Sequence, residues 1–162
     1  MGDTDYKPMK NSTNAGDYSL SIPQAVAASA ASLRDQVREI VGSEPIIESN
    51  GNSQFTLATY GAGKYCQISS FSIAQFPGCC GIAVFYHASV AADFQSKGLG
   101  ALLLRLREEA ARKAGFTFAQ ATVLKTNKRE LSILSKAGWE VTGEFENRRT
   151  RNVVLVLGKA LV

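Results

Sequence analysis

The sequence predicts a mixed α/β domain of the α+β kind: a central, mostly antiparallel sheet with one parallel strand pair and helices on its flanks. Between residues 46 and 74, strand-like runs are separated by the tight-turn signals Asn50-Gly51 and Gly61-Ala62-Gly63, the pattern of an antiparallel meander. From Gly81 to Leu124 the chain reads strand, helix, strand, and a crossover of that length sets the two strands parallel. Near the end, the polar and basic run Glu146-Asn147-Arg148-Arg149-Thr150-Arg151-Asn152 separates two short apolar runs, as in a terminal hairpin.

With 162 residues, 45% of them hydrophobic and 20% charged, the chain is long enough to bury one substantial core. Residues 1–16, polar and without periodicity, are expected to form a disordered or loosely attached arm, and residues 17–162 a single domain. No apolar run reaches the roughly 18 residues needed to cross a membrane, and Met1-Gly2-Asp3-Thr4-Asp5-Tyr6 is too polar for a leader, so a cytoplasmic protein is expected. Cys66, Cys79 and Cys80 are odd in number and two are adjacent, which implies reduced thiols. Together with His87 they lack any usual zinc-ligand spacing, so no metal is expected. A net charge of +4 suits a phosphate-rich ligand or a nucleic acid and does not decide between them.

Taken in order, Tyr18-Ser19-Leu20-Ser21-Ile22 alternates as a short first strand would, and Pro23 suits the start of a helix running to about Val41. Val26, Ala30, Leu33, Val37 and Ile40 or Val41 give that helix one apolar stripe, and Gly42-Ser43-Glu44-Pro45 ends it. Strands are expected at Ile46–Glu48, Gln54–Tyr60 and Tyr65–Ala74. Gly61-Ala62-Gly63-Lys64 resembles the end of a P-loop, but Ala58 and Tyr65 stand where that motif needs Gly and Ser or Thr, so it is no nucleotide site. After the Pro77-Gly78 turn comes a strand over Gly81–Val90, then a helix over Leu99–Lys113. Its residues Leu99, Leu102, Leu103, Leu106, Ala110 and Ala114 should face the sheet, with Arg105, Arg107, Glu108, Glu109, Arg112 and Lys113 in solvent. A strand over Phe116–Leu124, a helix over Lys128–Ala137 capped by Gly138, and strands over Trp139–Phe145 and Val153–Leu157 complete the chain.

The crossing from strand to helix, Val90 to Ala101, carries the chemistry. The first turn of a helix leaves about four N–H groups without partners at the positive end of the helix dipole, an anion site. Gly98 and Gly100 would let a ligand approach the backbone there, with Gln95 and Lys97 as further donors, although two glycines can also simply ease a tight turn.

Gln95-Ser96-Lys97-Gly98-Leu99-Gly100 resembles the coenzyme A pyrophosphate loop, Gln/Arg-x-x-Gly-x-Gly/Ala, of the GNAT superfamily of acetyl-CoA-dependent N-acetyltransferases. Asn127, with Gly138-Trp139 eleven residues on, matches a second GNAT pattern. The likeness covers roughly residues 80 to 140. It implies a GNAT-like sheet whose parallel pair is splayed, and acetyl-CoA as cofactor, held by Ala88, Ser89, Val90, Gln95, Ser96, Lys97, Gly98, Leu99, Gly100, Ala101 and Asn127. It also implies that the Val90 N–H faces the acetyl oxygen. Asn127 reads equally well as the N-cap of the helix from Lys128.

The implied activity is transfer of an acetyl group to a primary amine, on a small molecule or on a protein N-terminus or lysine. Here the chain departs from the pattern. Leu134 stands where many relatives carry a general-acid Tyr, and Val84 where some carry a carboxylate base. Strand alternation points Tyr86 into the pocket, as the candidate catalytic residue to accept or relay a proton, and turns His87 away as a core or helix-facing side chain. At pH 7 a lysine amine of pKa about 10.4 costs about 4.6 kcal/mol to deprotonate, an α-amine of about 7.8 only about 1, so the missing base favours low-pKa amines. The helix after Pro23 and the tip at Arg148, Arg149 and Arg151 are expected to shape the acceptor pocket. Two other readings stay open: a non-catalytic acyl-CoA-binding module, and a nucleic-acid partner, aminoacyl-tRNA included, bound through those arginines. A monomer and a homodimer both fit the sequence.

Overall fold

The structure is a computed structural model that describes residues 20–162; the expected arm at residues 1–16, with Tyr18 and Ser19 of the expected first strand, lies outside the described residues. Leu20 to Ile22 form no strand. Ser21 instead caps α1 (Ile22–Val41): its hydroxyl accepts the Gln24 N–H at 3.3 Å while the Gln24 side chain accepts the Ser21 N–H at 3.0 Å. A reciprocal capping box with Pro23 in the first turn satisfies two donors at once, and that outweighs a short alternation of apolar and polar residues. Ala25, Val26, Leu33 and Val37 are buried along one stripe, and Gly42, at φ 81°, closes the helix by donating to the Arg38 carbonyl.

Four strands follow: β1 (Pro45–Asn50), β2 (Gln54–Gly61), β3 (Lys64–Phe76) and β4 (Cys79–Val90), each antiparallel to the last. The Ala62-Gly63 turn takes positive φ at both residues, 50° and 74°, the type that matches strand twist, which is why a loop resembling a phosphate site is only a hairpin. A short 3₁₀ turn (Ala92–Phe94) leads into α2 (Leu99–Lys113), then β5 (Phe118–Leu124), α3 (Lys128–Lys136), β6 (Glu140–Glu146) and β7 (Val153–Ala160). The sheet order is β1-β2-β3-β4-β5-β7-β6, with β4 and β5 the parallel pair, as expected for a mixed, mostly antiparallel sheet. Phe116 and Trp139, expected as strand starts, are buried just ahead of β5 and β6.

The core joins the α1 stripe, the inner faces of β2 to β5, and Leu99, Leu102, Leu103, Leu104, Leu106, Ala110 and Ala111 of α2. Two expected surface charges on α2 are not on the surface: Arg107 and Glu108 are each only 5% exposed. Glu108 is buried because it is fully engaged. Its carboxylate accepts the Trp139 indole N–H at 2.8 Å and the Lys159 ammonium at 2.8 Å, with Arg112 at 3.6 Å. Lys159 also donates to the Ala137 carbonyl at 2.6 Å, so one carboxylate ties α2 to the end of α3 and to β7. Helical periodicity could not show this, since both partners come from the last quarter of the chain.

In β7, a Cβ at Gly158 would stand 2.5 Å from the Phe118 ring, which covers the backbone there. Gly158→Ala should therefore lower stability by about 1 kcal/mol, and by less in a Phe118→Ala background, the coupling being read from a double-mutant cycle of thermal melts. Glu108→Ala leaves the Lys159 ammonium without its carboxylate, and urea denaturation should show a loss of about 3 kcal/mol, with a smaller loss for Glu108→Gln.

Candidate functional site

β4 and β5 pair only from Ile82 opposite Phe118 to Phe85 opposite Ala121; beyond that the two strands part. The cause lies on the other edge of β4. Opposite β3, Ser72 pairs with Tyr86 and Ser70 with Ser89, so His87 and Ala88 together face the single residue Phe71. This is a bulge, and His87 sits in it at φ 52°, a left-handed conformation uncommon for a side-chain-bearing residue. A bulge bends its strand and raises its twist, which carries the end of β4 away from β5.

The bulge also breaks the alternation of side chains. His87, expected to turn away into the core or onto a helix, is exposed and lines a cavity of about 200 Å³ in the parting, together with Tyr86, Thr122, Leu124 and Leu134. The Tyr86 and His87 rings meet edge to face at 4.8 Å. Val84, on the paired part of β4, lines no cavity there.

A larger cavity, of about 680 Å³, opens where β4 hands over to α2. Ala88, Ser89, Val90, Gln95, Ser96, Gly98, Gly100, Ala101 and Asn127 line it. Lys97 and Leu99 do not: the Lys97 ammonium lies 5.7 Å over the Phe94 ring, and the Leu99 side chain is in the core. Among the described residues, the backbone N–H groups of Ser96 through Ala101 make no hydrogen bond, the next, Leu102, being the first to reach a carbonyl, that of Gly98. Ser96 at φ 63° and Gly98 at φ 82° turn this run, and Ser96, Gly98, Gly100 and Ala101 of it lie along the cavity wall. The glycines divide the work. Gly98 supplies the left-handed helix cap, while a Cβ on Gly100 would stand 3.1 Å from Ile133, so Gly100 admits α3 as much as any ligand.

Arg129 of α3 locks the turn. It donates to Gln95 Oε1 at 3.1 Å and Ser96 Oγ at 3.0 Å, and the Gln95 amide donates on to the Val90 carbonyl at 2.9 Å. The Ser89 carbonyl is held by the Ser69 hydroxyl at 2.6 Å. Asn127 caps α3 by accepting the Glu130 N–H at 3.2 Å, while its side chain also lines both cavities. Arg107, Arg129 and Lys136 make the lining of the larger cavity cationic, against one carboxylate, Glu130.

Sequence reasoning missed Arg107, Arg129 and Glu130. Arg107 had a signal: it falls four residues after Leu103 and three before Ala110, inside the apolar stripe of α2. Its ring neighbour is Phe85, 5.3 Å from the guanidinium. Burial pulls its pKa down to about 10, opposed by Glu130 and Glu108, so it stays a cation at neutral pH. The tip residues Arg148, Arg149 and Arg151 line neither of these two cavities, and Arg151 is paired with Glu146 at 2.8 Å. α1 contributes Gln36, Glu39 and Ile40 to a separate, shallow hollow beside Gly98. No helix is long and apolar enough to cross a membrane, and no metal-binding cluster occurs, among the described residues.

A mixed seven-stranded sheet, antiparallel apart from the parted β4–β5 pair, defines the fold class. The chain has the GNAT acetyltransferase fold, as its motifs implied. It is similar to nourseothricin acetyltransferase (TM-score 0.56, 17% identity, 67% of this chain and 66% of that one). It is similar as well to a GNAT-family acetyltransferase from Streptococcus pneumoniae (0.55, 19%, 88% and 96%). A third likeness is to yncA, a putative acetyltransferase from Salmonella typhimurium solved with its cofactor acetyl-CoA (0.56, 17%, 84% and 73%). No protein-family model matches the chain, and no curated protein matches its sequence.

Because Gly98 is held at positive φ, Gly98→Ala should cost about 1 kcal/mol of stability even without a ligand, as read from thermal melts, while leaving the circular dichroism spectrum unchanged.

Proposed function

We propose that the chain is an acetyl-CoA-dependent N-acetyltransferase acting on a primary amine. The observation that carries this is the run of unpartnered N–H groups from Ser96 to Ala101, four of whose residues line a cationic cavity beside the parting of β4 and β5. The site suits a long thioester that carries a diphosphate. The diphosphate would lie on that run beside Arg129, and the pantetheine arm would follow Ala88, Ser89 and Val90 past Asn127. When bound, the thioester supplies the activated acyl group; the protein's own part is to hold it, exclude water, and place the carbonyl where an amine can reach it. A Val90 N–H facing the acetyl oxygen would polarise it.

The acceptor would enter through the smaller cavity, where Tyr86, His87 and Glu130 are the side chains able to take a proton. This revises the sequence reading, in which Tyr86 stood alone. The deprotonation cost given above favours a low-pKa amine such as a peptide N-terminus over a lysine. A cytoplasmic setting belongs to the same proposal.

A second reading, a coenzyme A-binding module without turnover, is favoured by Leu134, which is 2% exposed and lines the parting where an acid would stand. Thiol release from acetyl-CoA in the presence of an amine library separates the two.

Isothermal titration should show acetyl-CoA binding at micromolar concentrations, and Arg129→Ala should weaken it by about tenfold, since it removes one charge-assisted contact and unlocks the turn. Absence of binding at high micromolar concentration would refute the proposal.

A further inference from the structure

Resting on the acyl-transfer reading above, we propose that Arg107 is a catalytic residue, its guanidinium receiving the negative charge that develops on the thiol sulfur as the acyl group departs. Four residues, Ala88, Arg107, Asn127 and Glu130, line both the larger cavity and the smaller one, so they frame the passage between the two. Thioester and amine must meet in that passage if each occupies its own cavity. Of the four, only Arg107 carries a positive charge.

Arg107 has no other employment. Among the described residues no hydrogen bond or ion pair involves its side chain, and its Nε is buried without a partner. Glu108, the next residue, shows what a settled buried charge looks like here, with an indole, an ammonium and a second guanidinium around one carboxylate. An unpartnered buried guanidinium is costly, and at a position between Leu103 and Ala110 of an apolar stripe a leucine would serve packing better. The Phe85 ring under it, 5.3 Å away, supports the cation without satisfying its donors. The unmet donors therefore await an anion in the passage.

The chemistry asks for one. As the amine nitrogen bonds to the carbonyl carbon, the carbon–sulfur bond breaks and its electron pair stays on sulfur. Leu134, lining the same cavity, has no proton to give. With Arg107 beside it the sulfur can leave as a thiolate, held as an ion pair, while the proton lost by the amine passes to the Glu130 carboxylate and then to water. A guanidinium keeps its own protons throughout and acts by charge and hydrogen bonding. Near a fixed cation a thiol loses its proton more readily, and in a site of low dielectric the effect is large.

The test is the titration of bound coenzyme A, followed by ultraviolet thiolate absorbance against the complex with desulfo-coenzyme A, which subtracts the protein's own cysteines. In the unaltered protein the bound thiol should titrate at least about one unit below the free thiol. Arg107→Gln should return it to the free value with coenzyme A affinity changed by less than about threefold, and should lower kcat about 100-fold with little change in KM. Arg107→Lys should keep part of the shift. A bound thiol that titrates at or above the free value in the unaltered protein overturns the proposal, as does a shift that survives in Arg107→Gln. The first of these needs no variant, so it decides the matter even if Arg107→Gln does not fold. A protein that binds coenzyme A without the shift sinks the role of Arg107 alone, whereas one that binds no coenzyme A sinks the acyl-transfer reading with it.

Discussion

The extra residue in β4 is the constraint on which the rest of the site depends. If His87 and Ala88 did not share one place opposite Phe71, β4 would stay straight and could go on pairing with β5 beyond Phe85. The sheet would then be closed where the two cavities now meet. Holding His87 at φ 52° has a conformational cost, which the long flanking ladders of β4 with β3 offset. The same bend explains why Tyr86 and His87, adjacent in the chain, both reach the parting.

Adjacent charges on α2 show how burial separates roles. Glu108 and Arg107 are equally hidden, yet Glu108 joins three parts of the fold through well-made contacts while Arg107, over the Phe85 ring, makes no hydrogen bond or ion pair among the described residues and lines both cavities. Buried charge with partners is architecture, since removing any partner strands the others. Buried charge without partners is a standing cost, tolerable only if something in the working protein meets it.

The turn before α2 is likewise more than its two glycines. Gly98 supplies the backbone conformation, Gly100 supplies clearance for Ile133, and Arg129 from α3 clamps Gln95 and Ser96 so that the free N–H groups hold their direction. Preorganised amides lose little entropy when an anion arrives, which is what makes such a turn an effective cradle. The helix that brings Arg129 is itself started by Asn127, so one capping interaction reaches the mouth of the larger cavity.

Local rules were enough for the elements themselves. The helix over Leu99–Lys113 and the helix start at Lys128 followed from periodicity and capping, the hairpins from Asn-Gly, Ala-Gly and Pro-Gly, and the parallel pair from the length of its crossover. Gln95 to Gly100 announced an open turn with free N–H groups because that feature is carried by consecutive backbone groups. Packing between distant segments decided the rest. Whether Arg107 and Glu108 faced water depended on Trp139, Lys159 and Phe85, and the direction of His87 depended on its register against Phe71. Sequence periodicity assumes a regular element with one wet face, and a bulge or a buried ion pair violates that assumption through contacts far apart in the chain.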